Sequence, residues 1–477
     1  MSASLWTSAD AQKATGGQLT GAAWSANGIS IDTRSLAPGE LFVALTDQRD
    51  GHDFVGAAFK AGASAALVSR KVDADGPQLI VSEVLEGLRG LAAAARDRSA
   101  AIRVAVTGSV GKTTVKSLIA DALVHKGVTH SSVKSFNNHW GVPLTLARMP
   151  QDSQFGVFEI GMNHADEIRP LTKLVQPHLA LVTTVEAVHL EHFESVDGIA
   201  DAKAEIFEGL VPGGAAIINA DNPYADRLIL RAKEAGVSLI VRYGRAADCE
   251  ARLLDFQTDG ESCDIDADVF GKRVEVRIPA PGAFWANNGL AVLAATGALF
   301  DGDCSAGAQA LAEFSPLPGR GQVRRISAVS GIITVVDDTY NANPTSMAAS
   351  IRTLGGRPVG SGGRRIAALG DMLELGADEA LFHRGMVEPI EAARLDLVFC
   401  AGPRMKALWD ALPDSRRGGY AEKSDDLAPL IAGAVRGGDV VLVKGSAGSR
   451  MAKVAEALSA LGAANVASGS NPRGETR

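Results

Sequence analysis

The chain has 477 residues, of which 46% are hydrophobic, 21% charged and 5% aromatic, and its mean hydropathy is +0.08. These values exclude a fibrous protein and a chain that is disordered throughout, and the length predicts about two to four globular domains. The 47 Lys and Arg residues against 55 Asp and Glu residues give a net charge of −8. This acidic balance argues against nucleic acid, or an anionic membrane, as a partner bound through overall charge.

The cysteines and the first residues of the chain predict its compartment. The four cysteines show no CxxC spacing, so we expect neither a structural zinc site nor a disulfide framework. The opening segment MSASLWTSADAQKATGG lacks the basic and apolar regions of a signal peptide, and no apolar run reaches about 18 residues. We therefore expect a cytoplasmic protein with no membrane insertion.

Residues 1–100 predict a small mixed α/β domain. Three short apolar segments, GISID, LFVAL and ASAALVSR, are separated by the turn PGE and by the helical segment AAFKAG. Strands and helices that alternate at this spacing indicate a sheet with helical connections.

Residues 101–319 predict a central domain built on a parallel sheet. Five short apolar runs, RVAVTG, FGVFEIG, LALVTTV, GAAIINAD and VSLIVRYG, alternate with helical patterns, which is typical of a sheet covered on both faces. The segment ARLLDFQTDGESCDIDADVFGKRVEVRIPAPG instead alternates apolar and polar residues, so we expect an antiparallel meander there. A helix at about 284–299 follows.

Residues 320–462 predict a second, Rossmann-like α/β domain. The runs GIITVVDD, RRIAALGD, DLVFCAG and DVVLVKG follow the break SPLPGRGQ, and a helical pattern comes after each. We expect a disordered tail at 463–477. The predicted fold is therefore α/β with three domains.

An octapeptide that follows the strand RVAV has the features of a phosphate-binding loop. TGSVGKTT comes after a strand and opens a helix, an order that argues against a chance Gly-Lys-Thr turn. Exposed amides and the positive helix end bind phosphate, Lys112 reaches the β and γ phosphate oxygens, and Thr113 can ligate Mg²⁺. The strict pattern has glycine at 106, where this chain has Val106. The predicted nucleotide-binding residues here are Thr107, Gly108, Ser109, Val110, Gly111, Lys112, Thr113 and Thr114.

This variant loop and a series of further motifs resemble one family. TGSxGKTT without the first glycine is similar to the loop of the Mur ligase superfamily, which includes folylpolyglutamate synthase. The other motifs that carry the resemblance cover nearly the whole chain, in the order IDTR with PGELFVAL, FNNHWGVPLTL, EIGMNHADEI, VHLEHF, DAKAEIF, DDTYNANPTSM, LGDMLELG and LVKGS.

The resemblance implies an activity. It implies an ATP-dependent amide ligase that adds D-alanyl-D-alanine to UDP-N-acetylmuramoyl-tripeptide through an acyl phosphate, in peptidoglycan precursor synthesis. The first domain would bind the UDP substrate and the central P-loop domain would bind ATP. Two Mg²⁺ ions are implied as cofactors, and we expect a monomer.

The resemblance also implies the metal ligands, namely Thr113, Glu159, His189 and Lys203. Glu159 ends the strand FGVFEIG, where open α/β sheets place ligand sites, although a helix cap or a surface charge is an alternative. His189 would hold the second Mg²⁺, whereas the nearby His192 is expected to have no role. Taken alone, the pattern around His189 is typical of a solvated residue.

Lys203 requires a chemical change to serve as a ligand. An ammonium beside two Mg²⁺ ions would be repelled, but CO2 converts the amine into an anionic carbamate. In related ligases the lysine of the AKxEIF motif is modified in this way, so the resemblance implies carbamylated Lys203. The alternative is an ordinary helix lysine paired with Asp201 or Glu205, which the residues by themselves favour. With Lys112 and His189, Lys203 completes the implied catalytic set.

Other residues are assigned through the resemblance alone. Family segments have histidine near Phe284, Arg at Ala447 and Glu at Ala452, so this chain departs from the pattern at those positions. Arg450 is the nearby charge that could compensate. The implied nucleotide contacts are Asn288, Arg320, Asp338 and Tyr340, and the implied substrate contacts are Thr33, Arg34, Asn137, Asn138, Asn341 and Asn343.

Two other functions compete with this assignment. A neighbouring ligase that adds the third amino acid carries an Asp-Asn-Pro-Arg motif in its C-terminal domain, whereas DNPY at 221–224 lies in the predicted central domain and lacks the arginine. A P-loop switch would hydrolyse ATP with no amine acceptor. No motif specifies whether the third residue of the peptide is diaminopimelate or lysine.

Overall fold

The computed structural model describes residues 4–133, 135–187, 190–328 and 330–468. The chain has an α/β fold, as predicted, and divides into two compact units. The first unit contains Met1–Val185, Asp197–Ala251 and Ala291–Ala310, and the second contains Glu186–Val196, Arg252–Leu290 and Leu311–Arg477. Short 3₁₀ segments occur at Gly51–Phe54, Leu190–His192, Glu205–Gly209, Gly376–Asp378, Asp414–Arg416 and Ala447–Ser449.

The N-terminal part of the first unit is a five-stranded sheet in the order β2-β7-β6-β5-β4, beside a two-stranded pair of β1 and β3. The strands are β1 (Trp6–Thr7), β2 (Gln18–Thr20), β3 (Ser25–Ala26), β4 (Gly28–Ser30), β5 (Glu40–Val43), β6 (Ala65–Val68) and β7 (Gln78–Ile80). The helices are α1 (Ser8–Thr15), α2 (Val55–Lys60) and α3 (Val84–Asp97). Within the five-stranded sheet only β2 runs antiparallel to its neighbour. The buried hydrophobic cluster of this N-terminal part consists of Phe42, Ala44, Val55, Ala58, Ala66 and Val68.

Six parallel strands form the centre of the first unit, in the order β9-β10-β8-β11-β12-β13. They are β8 (Ile102–Thr107), β9 (Thr129–Ser131), β10 (Phe155–Glu159), β11 (Leu179–Val182), β12 (Ala215–Asn219) and β13 (Leu239–Gly244). The helices are α4 (Lys112–Val124), α5 (Gly141–Ala147), α6 (Ile168–Val175), α7 (Val196–Ala204) and α8 (Ala225–Glu234). The strand order reverses at β8, which lies between β10 and β11. Such a switch point opens a crevice at the carboxyl ends of the strands.

Buried contacts fix the N-terminal sheet on α5. Trp6 is 1% exposed, and its indole Nε1 donates a hydrogen bond of 2.9 Å to the carbonyl oxygen of Ala147. Just after α5, Arg148 Nε donates to the carbonyl oxygen of Ile29 at 2.7 Å. The two parts of the first unit therefore have a defined arrangement.

The predicted antiparallel segment is confirmed in the second unit. The strands are β14 (Ala251–Thr258), β15 (Cys263–Val269) and β16 (Lys272–Ile278), followed by α9 (Phe284–Leu299) and α10 (Ser305–Ala312). β15 pairs antiparallel with β16, with Cys263 opposite Ile278. Alternate residues of β15 are buried, which is the period of a strand with one covered face. The predicted helix at 284–299 coincides with α9.

The C-terminal sheet has six strands in the order β17-β18-β22-β19-β20-β21, and only β17 is antiparallel to its neighbour. The strands are β17 (Gln322–Ala328), β18 (Gly331–Asp338), β19 (Arg365–Gly370), β20 (Leu397–Ala401), β21 (Arg417–Ala421) and β22 (Val440–Lys444). The helices are α11 (Pro344–Gly356), α12 (Glu379–Arg384), α13 (Val387–Ala392), α14 (Lys406–Ala411), α15 (Ser424–Ala434) and α16 (Ala452–Ser468). Val440 and Leu442 pack in one core cluster and Val441 and Val443 in another, so both faces of β22 are covered.

The ends of the predicted domains remain predictions. α16 is described to Ser468, and the rest of the predicted tail lies outside the described residues. Within the described ranges, no helix combines the length and apolar character needed to cross a bilayer.

Candidate active site

The phosphate loop leaves β8 and enters α4 as the sequence predicts. Gly111 is the N-cap of α4 and has a φ of 88°, a left-handed conformation that glycine adopts without strain. The amide of Ser109 donates to the carbonyl oxygen of Thr184 at 2.8 Å. Lys112 Nζ lies over the same loop and donates to the carbonyl oxygens of Gly108 at 2.7 Å and Ser109 at 3.3 Å. The amides and the ammonium are thus held at a helix N-terminus, which is suited to binding phosphate.

Thr183, just beyond β11, fixes the other side of the loop. Its Oγ1 donates to the carbonyl oxygen of Val110 at 2.6 Å. Gly108 has a φ of 143°, and a Cβ added there would overlap Thr183 Oγ1. Thr183 was not among the residues predicted from the sequence, although its position directly after the buried run LALV is a signal for it.

Gly108→Ala is expected to lower kcat/KM for ATP by about a hundredfold, since displacing a reacting group by about 1 Å has an effect of that size. The cause is the overlap with Thr183 and the positive φ together. ADP release measured against ATP concentration gives the value. Gly213→Ala is the matched control, because Gly213 also has a positive φ of 80° but meets no atom within 4 Å. Equal losses in both variants would show that the overlap at Gly108 has no effect.

Glu159 is a buried carboxylate surrounded by neutral donors. It is 1% exposed. Its Oε2 accepts from Thr113 Oγ1 at 2.7 Å, and its Oε1 accepts from Ser135 Oγ at 2.9 Å and from Asn137 Nδ2 at 2.7 Å. The alternatives of a surface charge and a helix cap are therefore wrong. Ser135 is a further residue that the sequence analysis did not single out.

The surroundings of Glu159 fit a hard cation. A buried carboxylate is costly unless a positive charge compensates it, and in the described part of the chain no Lys or Arg pairs with Glu159. Oxygen atoms of Thr113 and Glu159 are ligands that Mg²⁺ prefers. In the same part of the chain no three His, Cys, Asp or Glu side chains form a metal cluster. The predicted ligand His189 lies outside the described residues, and His192 is exposed.

Lys203 lies in α7 and is 2% exposed. The alternative that pairs it with Asp201 or Glu205 is wrong. Asp201 accepts hydrogen bonds from Arg227 at 2.7 and 2.8 Å, and Glu205 accepts from two backbone amides. Lys203 Nζ has no hydrogen-bond acceptor or counter-ion within the described ranges.

The environment of Lys203 favours a neutral amine. Burial, and secondly the nearby charge of Lys112, hold the pKa of Lys203 well below its usual range. A neutral amine is the form that reacts with CO2, and the anionic product would remove the repulsion between the two lysines. The residues present therefore fit a carbamate.

A second group of predicted residues lies at the carboxyl ends of β18 and β22. Asp338 Oδ2 accepts from Lys444 Nζ at 2.7 Å and from Ser350 Oγ at 2.7 Å. The Arg320 guanidinium lies 3.8 Å from the centroid of the Tyr340 ring. Lys444 was not assigned a role from the sequence, although its place at the end of the run VVLVK in LVKGS gives the signal. Asn288 is half-buried in α9.

Several predicted substrate residues have local structural partners. Asn343 caps α11 through a capping box with Ser346, and Asn341 Oδ1 accepts from the following amide at 2.9 Å. Asn138 Oδ1 accepts from the amide of Gly141, where α5 begins, at 2.9 Å. The side chain of Arg34 is 87% exposed and pairs with Asp32, and the adjacent Thr33 is half-buried. Substrate binding by these five residues and by Asn137 remains a prediction.

The departures from the family pattern lie on the surface. Ala447, Arg450 and Ala452 are all exposed, and Arg450 has a φ of 55°. Phe284 is 40% exposed. No described contact shows that Arg450 replaces a missing charge.

The DNPY segment has a structural role. Asn222 is 7% exposed, and its Nδ2 donates to Thr184 Oγ1 at 2.9 Å and to the carbonyl oxygen of Val185 at 3.0 Å. The segment thus supports the chain behind the phosphate loop, which argues against a likeness to the Asp-Asn-Pro-Arg motif.

Two family models match the sequence. The Mur ligase middle domain matches residues 106–296, and the Mur ligase glutamate ligase domain matches residues 319–447. Together they cover both the phosphate loop and the C-terminal sheet.

Curated relatives and solved structures match over nearly the whole chain. The UDP-N-acetylmuramoyl-tripeptide–D-alanyl-D-alanine ligase of Escherichia coli is 36% identical over 93% of this chain and 96% of its own. MurF from Acinetobacter baumannii has a TM-score of 0.84 at 27% identity, over 95% of this chain and 99% of its own. MurF from Thermotoga maritima, solved in complex with ADP, has a TM-score of 0.75 at 26% identity, over 92% and 98%.

Proposed function

Because the chain belongs to the Mur ligase family, we propose that its phosphate loop, Glu159 and Lys203 form the ATP site of a ligase that joins D-alanyl-D-alanine to UDP-N-acetylmuramoyl-tripeptide. The protein is an ATP-dependent, ADP-forming peptide ligase of peptidoglycan synthesis, with the three-domain α/β architecture of that family. One observation favours a ligase over a plain P-loop ATPase. Lys203 is buried within the electrostatic influence of Lys112, with no counter-ion among the described residues.

The proposed reaction has two steps. A terminal carboxylate oxygen of the tripeptide attacks the γ-phosphorus of ATP. The bond between the γ-phosphorus and the oxygen that bridges it to the β-phosphorus breaks, ADP leaves, and an acyl phosphate results. The amine nitrogen of D-alanyl-D-alanine then attacks the carbonyl carbon of the acyl phosphate. Inorganic phosphate leaves and the amine loses a proton, which gives the amide. No nucleophilic side chain is required, so alignment and charge stabilisation supply the catalysis.

Lys112 and the residues around Glu159 act on the phosphate groups in this proposal. Bound Mg²⁺ ions, two in number, would neutralise charge on the transferring phosphoryl group. Thr113 and Glu159 would hold one ion, and His189 with carbamylated Lys203 would hold the other. Lys112 leaves its two loop carbonyls and donates to the β and γ phosphate oxygens.

The remaining roles come from the family resemblance. Tyr340 and Arg320 are adjacent, and Asp338 is oriented by Lys444 and Ser350, which supports an ordered binding surface in the second unit. The proposed nucleotide contacts there are Asn288, Arg320, Asp338 and Tyr340, and the proposed substrate contacts are Thr33, Arg34, Asn137, Asn138, Asn341 and Asn343.

We also propose a monomer that acts in the cytoplasm. The four cysteines, Cys249, Cys263, Cys304 and Cys400, are free, and three of them are buried. Free cysteines are usual in a reducing compartment.

An ADP-release assay with each combination of acceptors tests this function. UDP-muramoyl-tripeptide with D-alanyl-D-alanine is expected to give ADP, whereas omission of either substrate is expected to abolish release. Turnover of UDP-muramoyl-dipeptide with single amino acids would instead identify the ligase that adds the third residue. ADP release without any amine would identify a P-loop ATPase and overturn the proposal.

A further inference from the structure

Glu205 is a buried carboxylate two residues beyond Lys203. It is 5% exposed and begins the 3₁₀ segment Glu205–Gly209 that continues from α7. Its Oε1 accepts from the amide of Asp166 at 2.7 Å, and its Oε2 accepts from the amide of Arg169 at 2.9 Å. Both oxygens are therefore bound to the backbone at the start of α6.

This pair of hydrogen bonds connects the segments that carry Glu159 and Lys203. Glu159 is the last residue of β10, and residues 160–167 lead directly from it into α6. Glu205 therefore bonds to the chain that leaves Glu159 and lies on the segment that leaves Lys203. A carboxylate at a helix N-terminus is also favoured by the helix dipole.

Further contacts pack this junction closely. Thr172 Oγ1, in α6, donates to the carbonyl oxygen of Ile206 at 2.8 Å. A Cβ at Gly209 would overlap the backbone and the hydroxyl of Thr172, so the two segments are closely packed. Asp166 has a φ of 65°, which is uncommon for a residue other than glycine, and its amide is one of the two that Glu205 binds.

We propose that Glu205 is a positioning residue that fixes the segment carrying Lys203, so that the carbamate can form on the Lys203 amine and ligate. This inference rests on the proposed function of Lys203. Glu205 acts through Lys203 and contacts no substrate. Its removal moves the junction, and the position of the Lys203 amine changes with it.

Glu208 provides a matched control on the same segment. It also interacts with Arg169, at 2.8 Å, and with Lys173, at 3.4 Å, but through side chains on the surface. Glu208→Gln removes a carboxylate of the same kind without touching the backbone amides that begin α6. Surface ion pairs contribute little to stability. This variant is therefore expected to show the same carbamate signal and kcat as the wild-type protein.

The test measures the carbamate directly, by ¹³C NMR of the full-length protein equilibrated with ¹³CO2. The resonance is assigned by its absence from Lys203→Ala. In Glu205→Gln, one of the two backbone amides at the start of α6 faces an NH2 group instead of an oxygen. We therefore expect the carbamate signal and kcat to fall by about 10- to 100-fold, which is the usual effect of losing a group that orients a ligand. KM for ATP is expected to stay unchanged because the phosphate loop is intact.

Glu205→Asp decides the case in which the Gln variant does not fold. Aspartate keeps both acceptor oxygens but is shorter by one methylene group, so the junction forms while the amine is displaced. The proposal predicts a reduced carbamate signal in a folded Asp variant. Full carbamate and full kcat in either folded variant would overturn it. If the wild-type protein shows no carbamate signal, the proposed role of Lys203 is refuted instead. This outcome distinguishes failure of the proposed function from failure of the role of Glu205.

Discussion

Replacing Lys203 with alanine is expected to lower kcat by about a hundredfold or more, the range seen when one group that stabilises charge in the transition state is lost. Lys203 is buried without a counter-ion in the described chain, and its pKa is held well below the usual range, so the amine is poised to form a carbamate. The variant would lack this anionic ligand. Single-turnover and steady-state ADP release with both substrates measure the loss.

A small carboxylate is expected to restore part of the activity of Lys203→Ala. Acetate or formate fits the space that the side chain leaves and supplies an oxygen anion in place of the carbamate. Lys173→Ala, which removes an exposed lysine paired with Glu208, is the control and is expected to show no response. Lys116 is unsuitable as a control, since it is 4% exposed and donates to the carbonyl oxygen of Ser132 at 2.9 Å. Near-normal turnover of Lys203→Ala in CO2-depleted buffer would disprove the carbamate.

Lys112→Ala is expected to reduce kcat to less than about a tenth, which corresponds to a barrier increase above ~1.4 kcal/mol. Lys112 carries the positive charge at the phosphate loop, and no other lysine or arginine in the described chain donates to the carbonyls of Gly108 and Ser109. Steady-state kinetics of ADP release give the value.

The stability of Lys112→Ala separates a chemical effect from unfolding. The side chain loses two hydrogen bonds to carbonyls in a partly exposed loop, so the free energy of unfolding should fall by about 1 to 3 kcal/mol. Urea denaturation measures this change. Lys126→Ala, just beyond the same helix, removes an ion pair with Asp303 at 3.0 Å and should leave kcat unchanged. A variant of Lys112 that keeps most of its kcat would contradict the proposed role.

The strands and the phosphate loop were predictable because their signals are local. The run at Ile102–Thr107 is mostly apolar, as expected for a strand covered on both faces, and glycines mark the turn into α4. Glu159 was predictable as a candidate because it ends such a run. The alternation in Cys263–Val269 likewise identified an antiparallel strand.

The partners of the candidate residues were not predictable, since they come from distant parts of the chain. Ser135 reaches Glu159 from 24 residues away, and Lys444 reaches Asp338 from 106 residues away. No period or spacing in the sequence encodes such a pair. The sequence alone favoured an ion pair of Lys203 with Asp201 or Glu205, and it failed because arginines and backbone amides compete for those carboxylates.

The bonds across the phosphate loop have a consequence for the timing of its formation during protein synthesis. The octapeptide TGSVGKTT is complete at Thr114, but the Thr183 hydroxyl that binds Val110 lies 73 residues after Val110 in the chain. At about 5 to 20 residues per second, a ribosome needs about 4 to 15 s to add that length. A nascent chain that ends before β11 therefore carries the entire nucleotide-binding motif without the strand that shapes it, and we expect it to bind ATP only after β11 has been made.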